Sequence, residues 1–215
     1  MLSVWVQAVA AVLQCLRLSQ VMQATNLFRD TLTSRIEPVY GLTTLHASLR
    51  AFRDTPPPPS ATTEIRDGTY AFGLIALGKF FLRLPAEVLE EELPRLRSTL
   101  ISASSYGSPS VARADHVHHP HLQALTESSG TNAIAVREAA TAATIAAQMV
   151  LRDETHLFTL LDGLPDEKKN LLAYMFDKHG TRGPASASGP SAMEKLEREM
   201  RRIDGRLSTP GRPGV

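Results

Sequence analysis

Apolar residues recur every three or four positions through most of this chain, with no sustained alternation of period two. That spacing predicts amphipathic helices and no sheet. Residues 136–180 carry the pattern most clearly. Val136, Ala140, Ala143, Ala147 and Val150 form one stripe, mostly alanine, which lets a neighbouring helix come close. Leu157, Phe158, Leu160 and Leu161 form a short second apolar face. Asp162-Gly163 reads as a helix stop, since glycine accepts the left-handed conformation after a C-cap. Pro165 suits the first turn of a further helix, with Asp166 and Glu167 at its positive end. Leu171, Leu172, Met175 and Phe176 make its stripe, and His179-Gly180 ends it.

Upstream, residues 67–83 put Tyr70, Leu74, Leu77 and Phe81 on one face, and residues 85–101 space Leu89, Leu93, Leu96 and Leu100 in the same way. Pro94 is interior to the second stretch and is expected to kink or break it near Leu93. Gly73 and Gly78 lie inside an apolar helix, where they permit close helix packing. Paired helices of this length predict an all-α fold, a HEAT-like α-α superhelix of helical hairpins.

The pattern divides the chain. Residues 1–54 read as a helical N-terminal segment with a break at Glu37-Pro38, and 55–63, TPPPPSATT, as a polyproline-leaning linker. Residues 64–180 read as the helical-repeat domain. Within it, 104–135 lose periodicity, gain Ser, Gly, Pro and His, and are expected to be a disordered, dispensable insertion. Residues 181–215 read as a linker, a charged helix over 191–205 and a disordered tail. Ser191 and Glu194 have capping-box spacing. Glu194 with Arg198, and Glu197 with Arg201, are spaced as i, i+4 ion pairs.

Composition narrows the function classes. The chain has 215 residues, 43% apolar, enough for one sizeable core. A formal net charge of +1 leaves no global footprint for nucleic acid. The charge is uneven: residues 181–215 hold seven Lys/Arg against four Asp/Glu. The single cysteine, Cys15, excludes an internal disulfide framework and fits a reducing compartment. No segment reads as long and apolar enough to span a membrane. The first eighteen residues lack a basic n-region and read as an amphipathic helix, not a secretion signal.

Candidate chemistry is sparse. His116, His118, His119 and His121 could hold a metal ion, but no cysteine is near and Pro120 disturbs the spacing, so no metal or cofactor is expected. There is no nucleophile elbow and no Gly-rich phosphate loop. Cys15 with His46 could be imagined as a thiol pair, but a small buried cysteine on an apolar face is the expected reading. Asp153 and His156 read as a surface hydrogen bond. The expectation is a binding protein, not an enzyme. Lys168, Lys169, Lys178 and Arg182 on the repeat helices, with Arg201 and Arg202 on the terminal helix, are the candidate partner-binding residues. Met193, Leu196, Met200 and Ile203 could pair that helix with another, though so few heptads support weak self-association at most.

Three segments carry a family resemblance: GTYAFGLIALGKFFLRLPAEVLEEELPRLRSTLISA (68–103), VREAATAATIAAQMVLRDETHLF (136–158) and LDGLPDEKKNLLAYMFDKHG (161–180). They resemble the last helical repeats of the CLIP-associating (CLASP) proteins, and more narrowly the fungal branch. The resemblance implies a microtubule plus-end stabiliser at the spindle and kinetochore. Its partner would be tubulin or a plus-end or kinetochore protein, in the cytoplasm, on the cytoskeleton and at the nucleus or spindle. The chain departs from that family in having no text matching the tubulin-binding TOG domains or the basic Ser/Arg-rich region. Trp5, the only tryptophan, is not placed as a TOG contact. A generic α-solenoid adaptor without cytoskeletal role is the alternative.

Overall fold

The computed structural model describes residues 19–55, 63–104, 131–179 and 191–208. These form eight helices and no strand: α1 (Ser19–Arg35), α2 (Pro38–Asp54), α3 (Thr63–Phe81), α4 (Ala86–Ser104), α5 (Thr131–Leu151), α6 (Glu154–Leu160), α7 (Asp166–His179) and α8 (Ala192–Ser208). The protein is all-α over this range.

Local signals set most boundaries. Glu37 caps α2, its carboxylate accepting from the backbone N–H groups of Val39 at 3.0 Å and Tyr40 at 2.7 Å, with Pro38 at the first position. Gly163, at φ +94°, turns the chain between α6 and α7 as the Asp-Gly pair predicts. Pro165 sits just before α7, where its carbonyl accepts from Lys168 and Lys169. The capping box of α8 is formed: Ser191 N donates to Glu194 Oε2 at 3.0 Å, and Glu194 N to Ser191 Oγ at 3.2 Å.

Four expectations change. Pro94 does not break its helix; α4 runs from Ala86 to Ser104, with Pro94 on the solvent side, where water can serve the carbonyl it leaves unpaired. α5 begins at Thr131, not Val136, so 131–135 belong to the helix, and Ala133 and Ala135 are buried. α8 continues through Ser208, so 206–208 are helix rather than tail. Finally, Ala133–Leu151 does reach the length and hydropathy of a membrane span, with 67% of it buried inside the protein. Its position among other helices accounts for that composition. The His-rich run, Cys15, the Pro-rich linker at 56–62 and the tail at 209–215 lie outside the described residues.

Two helices form the centre. α3 lies closest to α5, not to α4, its neighbour in sequence. α2 and α1 also pack on α3, α4 packs on α5, and α7 and α6 follow on α5. α8 crosses back over α1, α3, α5 and α7. A Cβ on Gly73 would meet Leu49 of α2 at 2.5 Å, while one on Gly78 would meet Met200 of α8 at 3.0 Å and the Ala143 backbone of α5 at 3.1 Å. Five residues turn a helix by about 140°, so α2 and α8 approach α3 from well-separated sides. Both glycines serve close packing, as their places in an apolar helix suggest. One continuous core runs from Leu42 of α2 to Ile203 of α8. Leu93, Leu96, Ala140, Ala143 and Leu172 are all buried in it.

Candidate functional site

Several buried polar groups pair with one another and hold helices together, whereas among the described residues Gln148 Oε1 and His179 Nδ1 are buried without a hydrogen-bond partner. The Arg29 guanidinium on α1 donates to both oxygens of Asp204 on α8, at 2.8 and 2.7 Å, and lies 4.8 Å from the centre of the Phe72 ring. Asp30 accepts from Arg29 and, at 2.6 Å, from Lys79. Burial pushes the Asp30 carboxyl up, but the hydrogen bonds and charges of Lys79 and Arg29 outweigh it and hold it below the usual carboxylate range. His46 Nε2 lies 3.0 Å from Thr99 Oγ1, joining α2 to α4. Asp153 caps α6 by accepting from the backbone N–H of His156 at 3.1 Å; it makes that bond to the backbone, not to the imidazole. Among the described residues no three His, Cys, Asp or Glu side chains cluster as a metal ion would require.

Among the described residues a groove lies between α5 and α7, closed at one side by α8, with a volume of about 280 Å³. Ala142 and Ile145 of α5 and Leu172 of α7 form its apolar floor. Ile134 and Leu171 stand at its lips, 39% and 50% exposed. Helical geometry explains the α7 wall. Lys168, Leu171, Met175 and Lys178 fall within about 80° of arc, apart from the Leu172–Phe176 stripe that enters the core. Four apolar positions in α7 thus serve two purposes, core and groove.

The rim is basic. Arg137, Lys168, Lys178 and Arg202 line the groove, against Glu138 and Glu199. Both carboxylates are already engaged. Glu138 accepts from Arg202 at 3.1 Å and from Arg206 at 2.7 and 2.9 Å; Glu199 accepts from Arg202 at 3.0 Å. The hydrogen bond to Glu199 leads in raising the pKa of Arg202, with Glu138 adding to it against partial burial. Among the described residues Lys168 and Lys178 have no ion-pair partner.

Of the six basic residues singled out from the sequence, Lys168, Lys178 and Arg202 meet at this groove. Lys169 turns to Asp166, 3.5 Å away. Arg201 pairs with Glu197 at 3.0 Å on the exposed side of α8, as its spacing predicts. The expected Glu194–Arg198 pair does not form, because the Glu194 carboxylate is engaged in the cap of α8 with the Ser191 N–H. Arg182 lies outside the described residues. Sequence reasoning missed Ile134, Arg137 and the outward role of Leu171 and Met175. The signal was present for α7, whose apolar arc is wider than one buried face needs, but Ile134 fell in a stretch read as loop.

No protein-family model, curated protein or solved structure matches this chain.

Proposed function

We propose that this protein is a non-enzymatic binding module of the HEAT-like helical-repeat kind, acting in the microtubule and spindle apparatus as the C-terminal region of a CLASP protein does. The single observation that carries the binding reading is the apolar groove between α5 and α7 with Lys168 and Lys178 at its rim. An apolar floor with a like-charged rim suits a protein partner of opposite charge. The order of packing supports a helical repeat. α1, α3, α5 and α7 follow one another, with α2 on α3 and α4 on α5. α8 departs from a simple repeat by crossing back over them. The microtubule assignment rests on the resemblance of residues 68–103, 136–158 and 161–180, and with it the expected sites of action: cytoplasm, cytoskeleton, and spindle or nucleus.

The test is sedimentation with taxol-stabilised microtubules across a salt series. The pelleted fraction should be largest at low salt and fall steeply as salt rises, because exposed charges are screened beyond about 10 Å at 0.1 M. Lys168→Glu with Lys178→Glu should lower it further, mainly through a slower on-rate. These two are better probes than Arg201 and Arg202, since Arg202 also ties α8 to Glu138. Absence from the pellet at low ionic strength removes direct microtubule binding and leaves a general helical adaptor, a reading the same groove supports.

A further inference from the structure

We infer that the α5–α7 groove receives an amphipathic helix of a partner protein, one carrying two acidic residues about ten positions apart with apolar residues between them. The inference rests on reading the protein as a binding module, and it specifies the partner by chemistry.

Lys168 and Lys178 lie ten residues apart on α7, so about 15 Å separates them along the helix axis. Between them Leu171 and Met175 face the groove. The sequence of chemistry along this wall is therefore cation, apolar, apolar, cation. Across from it stands Ile134, with Ile145 in the floor between. A complementary partner offers acid, apolar, apolar, acid over the same length. Glu138 and Glu199 do not oppose this, because Arg202 and Arg206 already occupy them.

The occupant is a helix because of what the groove lacks. An extended segment would bury backbone N–H and C=O groups that need partners. The groove offers few. The Thr141 hydroxyl is committed to the Arg137 carbonyl at 2.9 Å, and the floor is Ala142, Ile145 and Leu172. A helix satisfies its backbone internally and presents only side chains, which pack between two helix ridges. At about 280 Å³ the groove is at the small end of the usual range for ligand sites, about 300–1,000 Å³, and has room for a few side chains from a partner's surface.

The experiment uses the full chain and a fluorescent, lactam-bridged synthetic helix. The helix bears two Glu about ten residues apart, flanking Leu at i, i+3 and i+7. A control helix has Lys in place of both Glu. The acidic helix should bind and the lysine helix should not. In Lys168→Glu/Lys178→Glu the acidic helix should weaken at least tenfold, and the lysine helix should gain what it lost. Both positions lie at the surface, so the variant should retain its fold by circular dichroism. Equal binding of the two helices, or an acidic helix indifferent to the double reversal, overturns the inference. So does parent self-association that the double reversal abolishes, which would make a second copy the occupant. Microtubule pelleting reads the wider proposal separately. Pelleting without helix binding sinks the groove assignment alone; helix binding without pelleting sinks the microtubule role alone.

Discussion

Arg29 and Asp204 stand 175 positions apart and share two hydrogen bonds inside the core, with the Arg29 side chain only 3% exposed. Asp204→Ala would leave a buried guanidinium with Asp30 as its remaining carboxylate. Loss of a buried partner costs about 3–5 kcal/mol, and Asp30 should reduce that to about 2–4 kcal/mol. Urea denaturation would measure it, and a loss under about 1 kcal/mol would mean the pair is not buried in solution. The imidazoles set a pH dependence. Burial, then Arg50 and Arg53, push His46 below the ordinary histidine value despite Glu92. Burial likewise depresses His179 against the opposing charge of Glu199, with Lys178 and Lys195 adding to the lowering. Folded-state values below the unfolded one mean that the unfolded chain binds protons first. Stability is therefore complete above about pH 6.5 and declines as pH falls through that value toward the depressed ones. Urea midpoints at pH 7.5 and 5.5 should differ in that direction, and less so in His46→Gln/His179→Gln. An unchanged difference in the double variant would show that other groups carry it.

At the scale of the element, three arginines end helices they do not belong to. Arg83 donates to the carbonyls of Thr33 and Ile36 at the close of α1. Arg66 donates to the carbonyls of Phe52 and Arg53 in the last turn of α2 and of Thr55 just after it, at 3.2, 2.9 and 3.0 Å. Arg97 donates to Asp162 after α6. Each places a cation at the negative end of a helix dipole and satisfies carbonyls the helix leaves open. Local signals predict glycine for that task, and among the described residues Gly163 takes it. Arg152, following α5, takes the left-handed conformation at φ 61° without being glycine. Its side chain is exposed, so Arg152→Gly should relieve local strain with little lost contact. The expected gain is about 0.5–1 kcal/mol, seen as a rise of a few degrees in Tm. A lowered Tm would show that the side chain contributes more than the backbone costs.

At the scale of the molecule, one core joins helices from both ends of the described chain. Leu42, Leu45 and Leu49 of α2 and Leu196, Met200 and Ile203 of α8 belong to the same cluster as the α3 and α5 side chains. Equilibrium unfolding should therefore be one transition, by circular dichroism and by hydrogen exchange alike. Leu45→Ala and Ile203→Ala should each shift that whole transition, by about 2–4 kcal/mol. Two separable transitions, with each substitution moving only one, would mean that α1 and α2 or α8 fold apart from the rest.

The sequence by itself determined that the described chain is helical, because spacing of three and four is a property of one strand of text and its own hydrogen bonds. It also determined local ends: Glu37-Pro38, Asp162-Gly163 and the Ser191–Glu194 box all act within four residues. It located Lys168, Lys178 and Arg202 as candidates without saying that they meet. Tertiary structure decided that, since α7 and α8 become neighbours only by packing on α5. It likewise decided that α3 is buried on nearly every side, where the spacing suggested one face. Ala71, Ile75, Ala76 and Phe80 are buried along with Tyr70, Leu74, Leu77 and Phe81, because α1, α2, α5 and α8 all lie against that helix. An apolar stripe records that a helix has neighbours; how many, and which, depends on contacts between residues far apart in the chain, which periodicity does not encode.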